Sequence, residues 1–264
     1  MKDYVLALSY GKDSVACLGA IKELGLPLTR VIHSEIWATD TVPADFPEMI
    51  EFKKKVDDYI FKKFGIVVEH YCATSVDGVK KEKVTYEDVF YHKLTRGKHI
   101  GNIKGFPLSI GQWCQKLKLN VFEMLSKSDI VYLGIAYDEP TRIRDVPNYQ
   151  YPLVMAEWNE KKCREWCNNI NLLAPSYSTS SRAGCWFCHY QPIEQLRLLR
   201  KNHPELWHIL LKWDKDSPVP FKADGHTVHD YEKRFQLEDD GYILPSEPFR
   251  WKFLEEPLQM RWNI

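Results

Sequence analysis

The sequence predicts an α/β protein: a Rossmann-like, doubly wound parallel sheet with a small C-terminal appendage. Three observations carry that expectation. Apolar runs of strand length alternate with helical periodicity between Tyr4 and Cys72, a Ser-x-Gly-Lys-Asp-Ser turn joins the first run to the first helix, and a Cys-x-x-Cys pair introduces a C-terminal stretch with its own helical repeat.

Tyr4 to Leu8 has the length and apolarity of a buried strand. Val15, Leu18, Ile21 and Leu24 then recur at three-residue steps, so a helix is expected from Asp13, with Asp13 or Ser14 as its N-cap. Arg30 to Glu35 reads as a second strand, Phe46 to Phe64 as a long helix and Ile66 to Cys72 as a third strand. Such a β-α-β-α-β run implies parallel strands, right-handed crossovers and a ligand crevice outside the carboxyl ends of the strands. Ser9 and Glu35 fall at two such ends. Ile130 to Ala136 reads as a further strand, followed at its carboxyl end by Tyr137-Asp138-Glu139-Pro140-Thr141-Arg142. The crevice is therefore expected to collect Lys12, Glu35, Glu139 and Arg142, although Glu139 with Arg142 also reads as a plain ion pair. Residues 1–180 form the expected α/β domain. Residues 181–264 form the appendage, with helical repeats at Ile193, Leu196 and Leu199 and at Leu206, Ile209 and Leu210.

At 264 residues the chain is long enough for a domain with an appendage. Its 36 basic and 36 acidic residues cancel, so no global field draws it to nucleic acid or membrane. No apolar run approaches the ~20 residues that span a bilayer, and the chain enters its first strand without a signal-peptide pattern. A cytoplasmic protein without membrane contact is the expectation. Seven cysteines in such a chain read as thiols or metal ligands rather than as a disulfide framework.

The turn Ser9-Tyr10-Gly11-Lys12-Asp13-Ser14 has the chemistry of a phosphate grip. Gly11 lets the backbone approach a ligand, the helix start presents N–H groups and a positive dipole end, and Lys12 adds a point charge. The plainer reading is a structural strand-to-helix turn. It is not the Walker loop, in which two glycines stand four residues apart ahead of Lys-Ser or Lys-Thr. The turn resembles the PP-loop of the ATP pyrophosphatase superfamily, written Ser-Gly-Gly-Lys-Asp-Ser, with Tyr10 in place of the first Gly. Members cleave ATP or a related nucleotide between the α and β phosphates; they include sulfonucleotide reductases, tRNA thiolation enzymes and sulfur-mobilising enzymes of DNA phosphorothioation. The resemblance implies a HUP-type sheet with ATP or a related adenine nucleotide held by Ser9, Tyr10, Gly11, Lys12, Asp13 and Ser14. Glu35 would bind the ribose or adenine side. Lys12 and Arg142 would neutralise charge on departing pyrophosphate, and Asp13 or Glu139 would hold Mg2+ through water.

Cys185-Trp186-Phe187-Cys188 can grip one metal or cluster iron from a single turn, and Cys114, Cys163, Cys167 and His189 are its candidate partners. A redox dithiol and simple buried thiols are the other readings. Arg182-Ala183-Gly184-Cys185-Trp186-Phe187-Cys188 is similar to the Arg-Ser-Gly-Cys-Trp-Phe-Cys-Pro segment of the phosphoadenosine phosphosulfate (PAPS) reductase family, with His189 in place of Pro. Trp113-Cys114, with Lys118 four residues on, resembles the Cys-Cys-x-x-x-Lys segment of cluster-bearing adenylylsulfate reductases. Cys163 and Glu165 fall in the helix where relatives carry Glu-x-Cys or Asp-Cys. The resemblance thus implies a four-thiolate site of Cys114, Cys163, Cys185 and Cys188, which accepts either Zn2+ or a 4Fe-4S cluster. Gly134-Ile135-Ala136-Tyr137-Asp138-Glu139 with Arg142 resembles Gly-Ile-Arg-x-Asp-Glu-x-x-x-Arg of the same family, with Ala136 where Arg is frequent. The likeness covers Tyr4 to about Pro192.

Reductases of that family attack sulfur with a cysteine in a C-terminal Glu-Cys-Gly-x-His tail. This sequence has no cysteine after Cys188 and ends Gln259-Met260-Arg261-Trp262-Asn263-Ile264. The resemblance therefore points to a PP-loop ATP pyrophosphatase or adenylyltransferase-like enzyme that activates an acceptor for sulfur transfer, with a sulfur-donor protein as partner. A tRNA or DNA acceptor would use the basic stretch Val79 to Lys104, where Lys80, Lys81, Lys83, Lys93, Arg96, Lys98 and Lys104 are interleaved with Tyr86, Phe90 and Tyr91. That stretch also reads as a solvated helix face with a loop. The rival class is a non-catalytic nucleotide-binding module stapled by structural zinc; a third reading is a sulfonucleotide reductase using Cys167 or another internal thiol.

Overall fold

The computed structural model describes residues 2–107, 113–178 and 184–248. They pack as two units, one within Met1–Val89 and Trp113–Cys185, the other within Phe90–Gln112 and Trp186–Ile264. The boundary by packing thus falls just after Cys185, beyond the 180/181 division of the sequence reading, and a segment beginning at Phe90 groups with the C-terminal unit.

In the larger unit the elements run β1 (Tyr4–Ala7), α1 (Lys12–Glu23), β2 (Arg30–Glu35), α2 (Pro47–Phe64) and β3 (Val68–Cys72), as the alternation of apolar runs requires. A short antiparallel pair, β4 (Ser75–Val76) and β5 (Val79–Lys80), and helix α3 (Tyr86–Phe90) follow. The chain returns through α4 (Cys114–Phe122), β6 (Ile130–Tyr132), β7 (Tyr149–Gln150), α5 (Pro152–Met155) and α6 (Glu160–Asn169). The five-stranded sheet has the order β3-β2-β1-β6-β7, and every pairing in it is parallel.

Side chains alternate across this sheet, and the alternation sorts its two faces. Leu6, Val31, Val68 and Tyr132 share one register row and join the main core with Val15, Leu18 and Ile21 of α1 and Phe52 and Val56 of α2. Val5 and Ile32 project to the opposite face, where they cluster with Val121 of α4. Helices on both faces of a parallel sheet make the fold doubly wound and Rossmann-like. Because β2 and β3 lie on one side of β1 while β6 and β7 lie on the other, the strand order reverses between β1 and β6. In sheets of this kind that reversal, outside the carboxyl ends of the two strands, is where a ligand crevice forms.

The C-terminal unit is helical, with α7 (Ile193–Asn202), α8 (Pro204–Asp216) and α9 (Val228–Asp239). Thr227 caps α9 in a reciprocal box with Asp230. Aromatic packing holds the unit together: Trp186 stacks on Trp213 with centroids 5.6 Å apart, Phe90 stacks on the same indole at 5.8 Å, and Phe106 meets Phe221 edge-on at 5.1 Å. These contacts explain why the segment after Val89 groups with residues a hundred positions later. Among the described residues no helix is long and apolar enough to cross a membrane.

Helix α1 is buried nearly all round, and its contact with α6 is close. A Cβ added at Gly19 would lie 2.6 Å from Trp166 Cε2 and 2.8 Å from the Trp158 indole. Helix propensity alone would make Gly19→Ala stabilising by about 1 kcal/mol, but rigid indoles leave no room for the methyl. A net loss of about 1–3 kcal/mol is expected from overpacking, read as a lower urea midpoint with an unchanged slope.

Candidate functional site

The turn after β1 is held by its own side chains. Leu8 extends the strand by donating its N–H to Ile32 at 2.8 Å, and α1 then starts at Lys12, with Gly11 in extended conformation as the N-cap and no side-chain cap. The expected caps Asp13 and Ser14 lie instead inside the first turn of the helix. Ser14 fastens the loop: its Oγ accepts from the Ser9 N–H at 3.1 Å and the Ser9 hydroxyl at 3.0 Å, and donates to the Gly11 carbonyl at 3.0 Å. The Lys12 N–H donates to the Tyr177 hydroxyl at 3.1 Å, so a phenol oxygen sits where a helix start would receive an anion. Tyr177 belongs to a 3-10 turn spanning Pro175–Ser178 and was not legible as a site residue.

Glycine sets how closely the two strand ends approach. A Cβ on Gly134, just past β6, would fall 2.6 Å from Ser14 N, 2.7 Å from Ser14 Cα and 2.8 Å from the Asp13 carbonyl carbon. All three are backbone atoms. Only a residue without a side chain lets the β6 loop lie against the start of α1, and that contact delivers Asp138, Glu139 and Arg142 to the crevice.

Charges from three segments meet there. The Lys12 ammonium donates to Asp13 Oδ1 at 2.8 Å, Asp13 Oδ2 at 3.0 Å and Glu160 Oε1 at 3.0 Å. Glu160, the first residue of α6, is positioned by donating its N–H to Asp138 at 3.0 Å. Carboxylate oxygens of Asp13, Glu139 and Glu160 lie within 4.8 Å of one another. Arg142 caps the outer side with two 2.6 Å bonds from Nη1 to the Glu139 carboxylate. Burial works against the Lys12 charge, but its bonds to Asp13 and Glu160 outweigh burial and hold its pKa above the ordinary lysine value. Burial also pushes the Asp13 carboxyl up, helped by the charges of Glu160 and Glu139, despite the bond from Lys12. Both directions describe a half-buried spot short of positive charge. An all-oxygen donor set of this kind suits a hard divalent cation.

Of the expected nucleotide and catalytic residues, the crevice gathers Ser9, Gly11, Lys12, Asp13, Ser14, Glu139 and Arg142, and adds Glu160 and Tyr177. Glu35 joins a different cluster. Its carboxylate pairs with His70 Nδ1 at 3.6 Å and accepts from Trp37 Nε1 at 3.4 Å. His70, aided by Lys53, depresses its pKa to about 2. Tyr10 is wholly buried and points into that same cluster rather than the crevice.

The expected thiolate set is not assembled within the larger unit. Cys163 lies in the main core with Cys17 and Cys167, fully buried, because its turn of α6 packs against α1; burial pushes its thiol up to about 12. The group of three or more candidate ligands found among the described residues is Asp13, Glu139 and Glu160, and no three of the cysteines form such a group there. Trp113 is a core residue, its ring 4.6 Å from that of Tyr86. Cys188 belongs to the other unit. Cys167 donates its S–H to the Lys12 carbonyl at 3.3 Å and so supports the turn after β1 from behind. Residues 179–183, including Arg182 and Ala183, lie outside the described residues.

The basic stretch divides between the units. Lys81 pairs with Asp88, Lys83 donates to the Asp40 carbonyl at 2.7 Å and covers the Trp37 ring, and Lys104 is buried. Two of its aromatics face inward, Tyr86 packing on Trp113 and Phe90 on Trp213, while Tyr91 is partly exposed and donates to Asp216 at 2.6 Å. Base stacking by Tyr86 and Phe90 is therefore corrected, since both rings are buried. Lys93, Arg96 and Lys98 remain exposed, on a hairpin closed by the Lys93–Ile103 bridge.

Comparison of the chain with family models, curated proteins and solved structures returns no match. The approach of Gly134 to the start of α1 supplies the test of the site's construction. Gly134→Ala is expected to destabilise the protein by about 1–3 kcal/mol, the cost of overpacking against backbone that cannot rotate aside, measured by chemical denaturation.

Proposed function

We propose that the larger unit binds ATP or a related adenine nucleotide in the crevice between β1 and β6 and cleaves it between the α and β phosphates, as a PP-loop pyrophosphatase of adenylyltransferase type. The observation that carries this reading is the meeting of a serine- and glycine-built turn, Lys12, Arg142 and three carboxylates at the point where strand order reverses.

Lys12 lies at the foot of the turn with its ammonium already in the crevice, and phosphate oxygens would take it over from Glu160. Ser9, Gly11 and Ser14 would bind phosphate through backbone N–H groups and hydroxyls. Asp13, Glu139 and Glu160 would hold Mg2+, which supplies neutralising charge to the polyphosphate. As the acceptor oxygen bonds to the α-phosphorus, the bond to the β-phosphate oxygen breaks and pyrophosphate leaves with that electron pair. Arg142 and Lys12 face the charge that accumulates on it. Cys163 lies in the core, and the proposed activity is nucleotide activation. Water, tRNA or DNA is the acceptor to be tried.

Pyrophosphate release from ATP and Mg2+ is the test, with each acceptor in turn. Lys12→Met is expected to lower the rate by about 100-fold or more, the scale of losing one preorganised charge donor. Arg142→Ala, at an exposed position, is expected to lower it by about tenfold while leaving the melting temperature within a degree or so. ATP binding with no pyrophosphate release under any acceptor would replace this reading with a nucleotide-binding module.

A further inference from the structure

Tyr10 occupies a backbone conformation that its residue type resists. Its φ is +58°, in the left-handed region where bulky residues are rare and where the resembled loop carries glycine. Something outside the turn must therefore hold it. The side chain runs away from the crevice, fully buried, into a polar network built by β2, β3 and α2. Its hydroxyl donates to Asp57 Oδ1 at 2.5 Å and lies 3.2 Å from His70 Nε2. His70 is the hub: Nε2 is 3.1 Å from Asp57 Oδ2, and Nδ1 is 3.6 Å from Glu35.

The ring is fixed as well as the hydroxyl. His33 meets it edge-on with centroids 4.7 Å apart, and the Lys53 ammonium lies 5.2 Å from its centre. Lys53 donates to His33 Nε2 at 2.9 Å and to Asp45 Oδ2 at 2.5 Å, which leaves His33 Nδ1–H to donate to the Leu8 carbonyl at 2.8 Å. The network thus grips both the end of β1, through Leu8, and the turn itself, through Tyr10. Strand alternation explains the assembly: His33 and Glu35 share a face of β2, and His70 stands beside His33 in the parallel register. Asp57 and Lys53 come from the α2 turns packed over that face.

We propose that Tyr10 is a positioning residue, whose tether to Asp57 and His70 sets the phosphate turn in its binding conformation without touching the nucleotide. This inference rests on the nucleotide reading above. It places the control of phosphate affinity on the α2 side of the sheet, away from the acidic crevice. The tether is charge-dependent. Hydrogen bonds to Asp57 and Glu35 raise the His70 pKa to about 9, while burial and the Lys53 charge push His33 down to about 3. His70 is thus the cation bridging two carboxylates at neutral pH, and His33 is neutral. A raised folded pKa gives an interaction present below the ordinary value near 6.5 and lost as pH rises through about 9. Loss of the His70 charge removes the cation held between Asp57 and Glu35.

The experiment combines calorimetry of ATP and adenosine binding between pH 7 and 10 with hydrogen exchange of the Ser9–Ser14 segment in unliganded protein, on wild type, Tyr10→Phe and His70→Gln. Tyr10→Phe keeps the ring and removes the hydroxyl. It is expected to weaken ATP about tenfold, the scale of one hydrogen bond to a charged group, to leave adenosine unchanged, and to speed exchange in the turn. Wild-type ATP affinity is expected to fall as pH rises through about 9, and His70→Gln to flatten that limb. Unchanged exchange in Tyr10→Phe overturns the proposal, as does ATP affinity equal to wild type in a protein that binds ATP. Faster exchange in a protein whose wild type binds no ATP keeps the tether and overturns the nucleotide reading instead.

Discussion

The close backbone contact between Gly134 and the Asp13–Ser14 peptide is the constraint on which the site depends. It holds the loop after β6 against the start of α1, just beyond the Leu6–Tyr132 pair that ends the β1–β6 ladder. From it follow the position of Glu139 and Arg142, the reach of Asp138 to the start of α6, and the placing of Glu160 on the Lys12 ammonium. The resulting charge cluster is unbalanced toward the negative, with Asp13, Glu139 and Glu160 against Lys12 and Arg142. A protein that concentrates carboxylates around a helix start stabilises that arrangement best when a further cation, or a cation with its phosphate, joins it.

The turn itself is braced on opposite flanks. On one, Tyr177 and Cys167 touch the amide and carbonyl of Lys12. On the other, Tyr10 and His33 tie the loop and the strand end to α2. Local residues alone could not do this, since the serine network of Ser9 and Ser14 closes the loop without orienting it. Four elements that the chain visits at widely separated points share the task, which is why the turn can keep Tyr10 at a positive φ.

Much of this was legible in the sequence, and the limits have physical causes. The strands and helices from Tyr4 to Cys72 follow apolar runs and periodicity, and they were placed to within a few residues. Ile130 to Ala136 was overextended because the chain leaves the sheet after Tyr132, and Tyr149–Gln150 is too short and polar to announce a strand. Ser9, Lys12, Asp13, Glu139 and Arg142 were visible because the turn chemistry and the strand ends are local. Glu160 and Tyr177 were not, because nothing in their neighbourhood distinguishes them from ordinary helix-start and loop residues; the α1–α6 packing brings in Glu160, and the 3-10 turn Pro175–Ser178 brings in Tyr177. Cys163 was drawn to the thiolate set by a motif likeness, whereas its face of α6 packs toward α1. Glu35 sits at a strand carboxyl end as expected, but His70, its neighbour across β2 and β3, claims its carboxylate.

The most direct measurement is a crystal structure of the full chain with Mg2+ and an ATP analogue that resists cleavage between the α and β phosphates. The expected result is polyphosphate in the Ser9–Ser14 turn, with the Lys12 ammonium moved from Glu160 onto phosphate, the Tyr177 hydroxyl displaced from the Lys12 N–H, and Mg2+ against Asp13, Glu139 or Glu160. A nucleotide bound elsewhere, or a saturating analogue that leaves Lys12 on Glu160 and Tyr177 on the helix start, would contradict it.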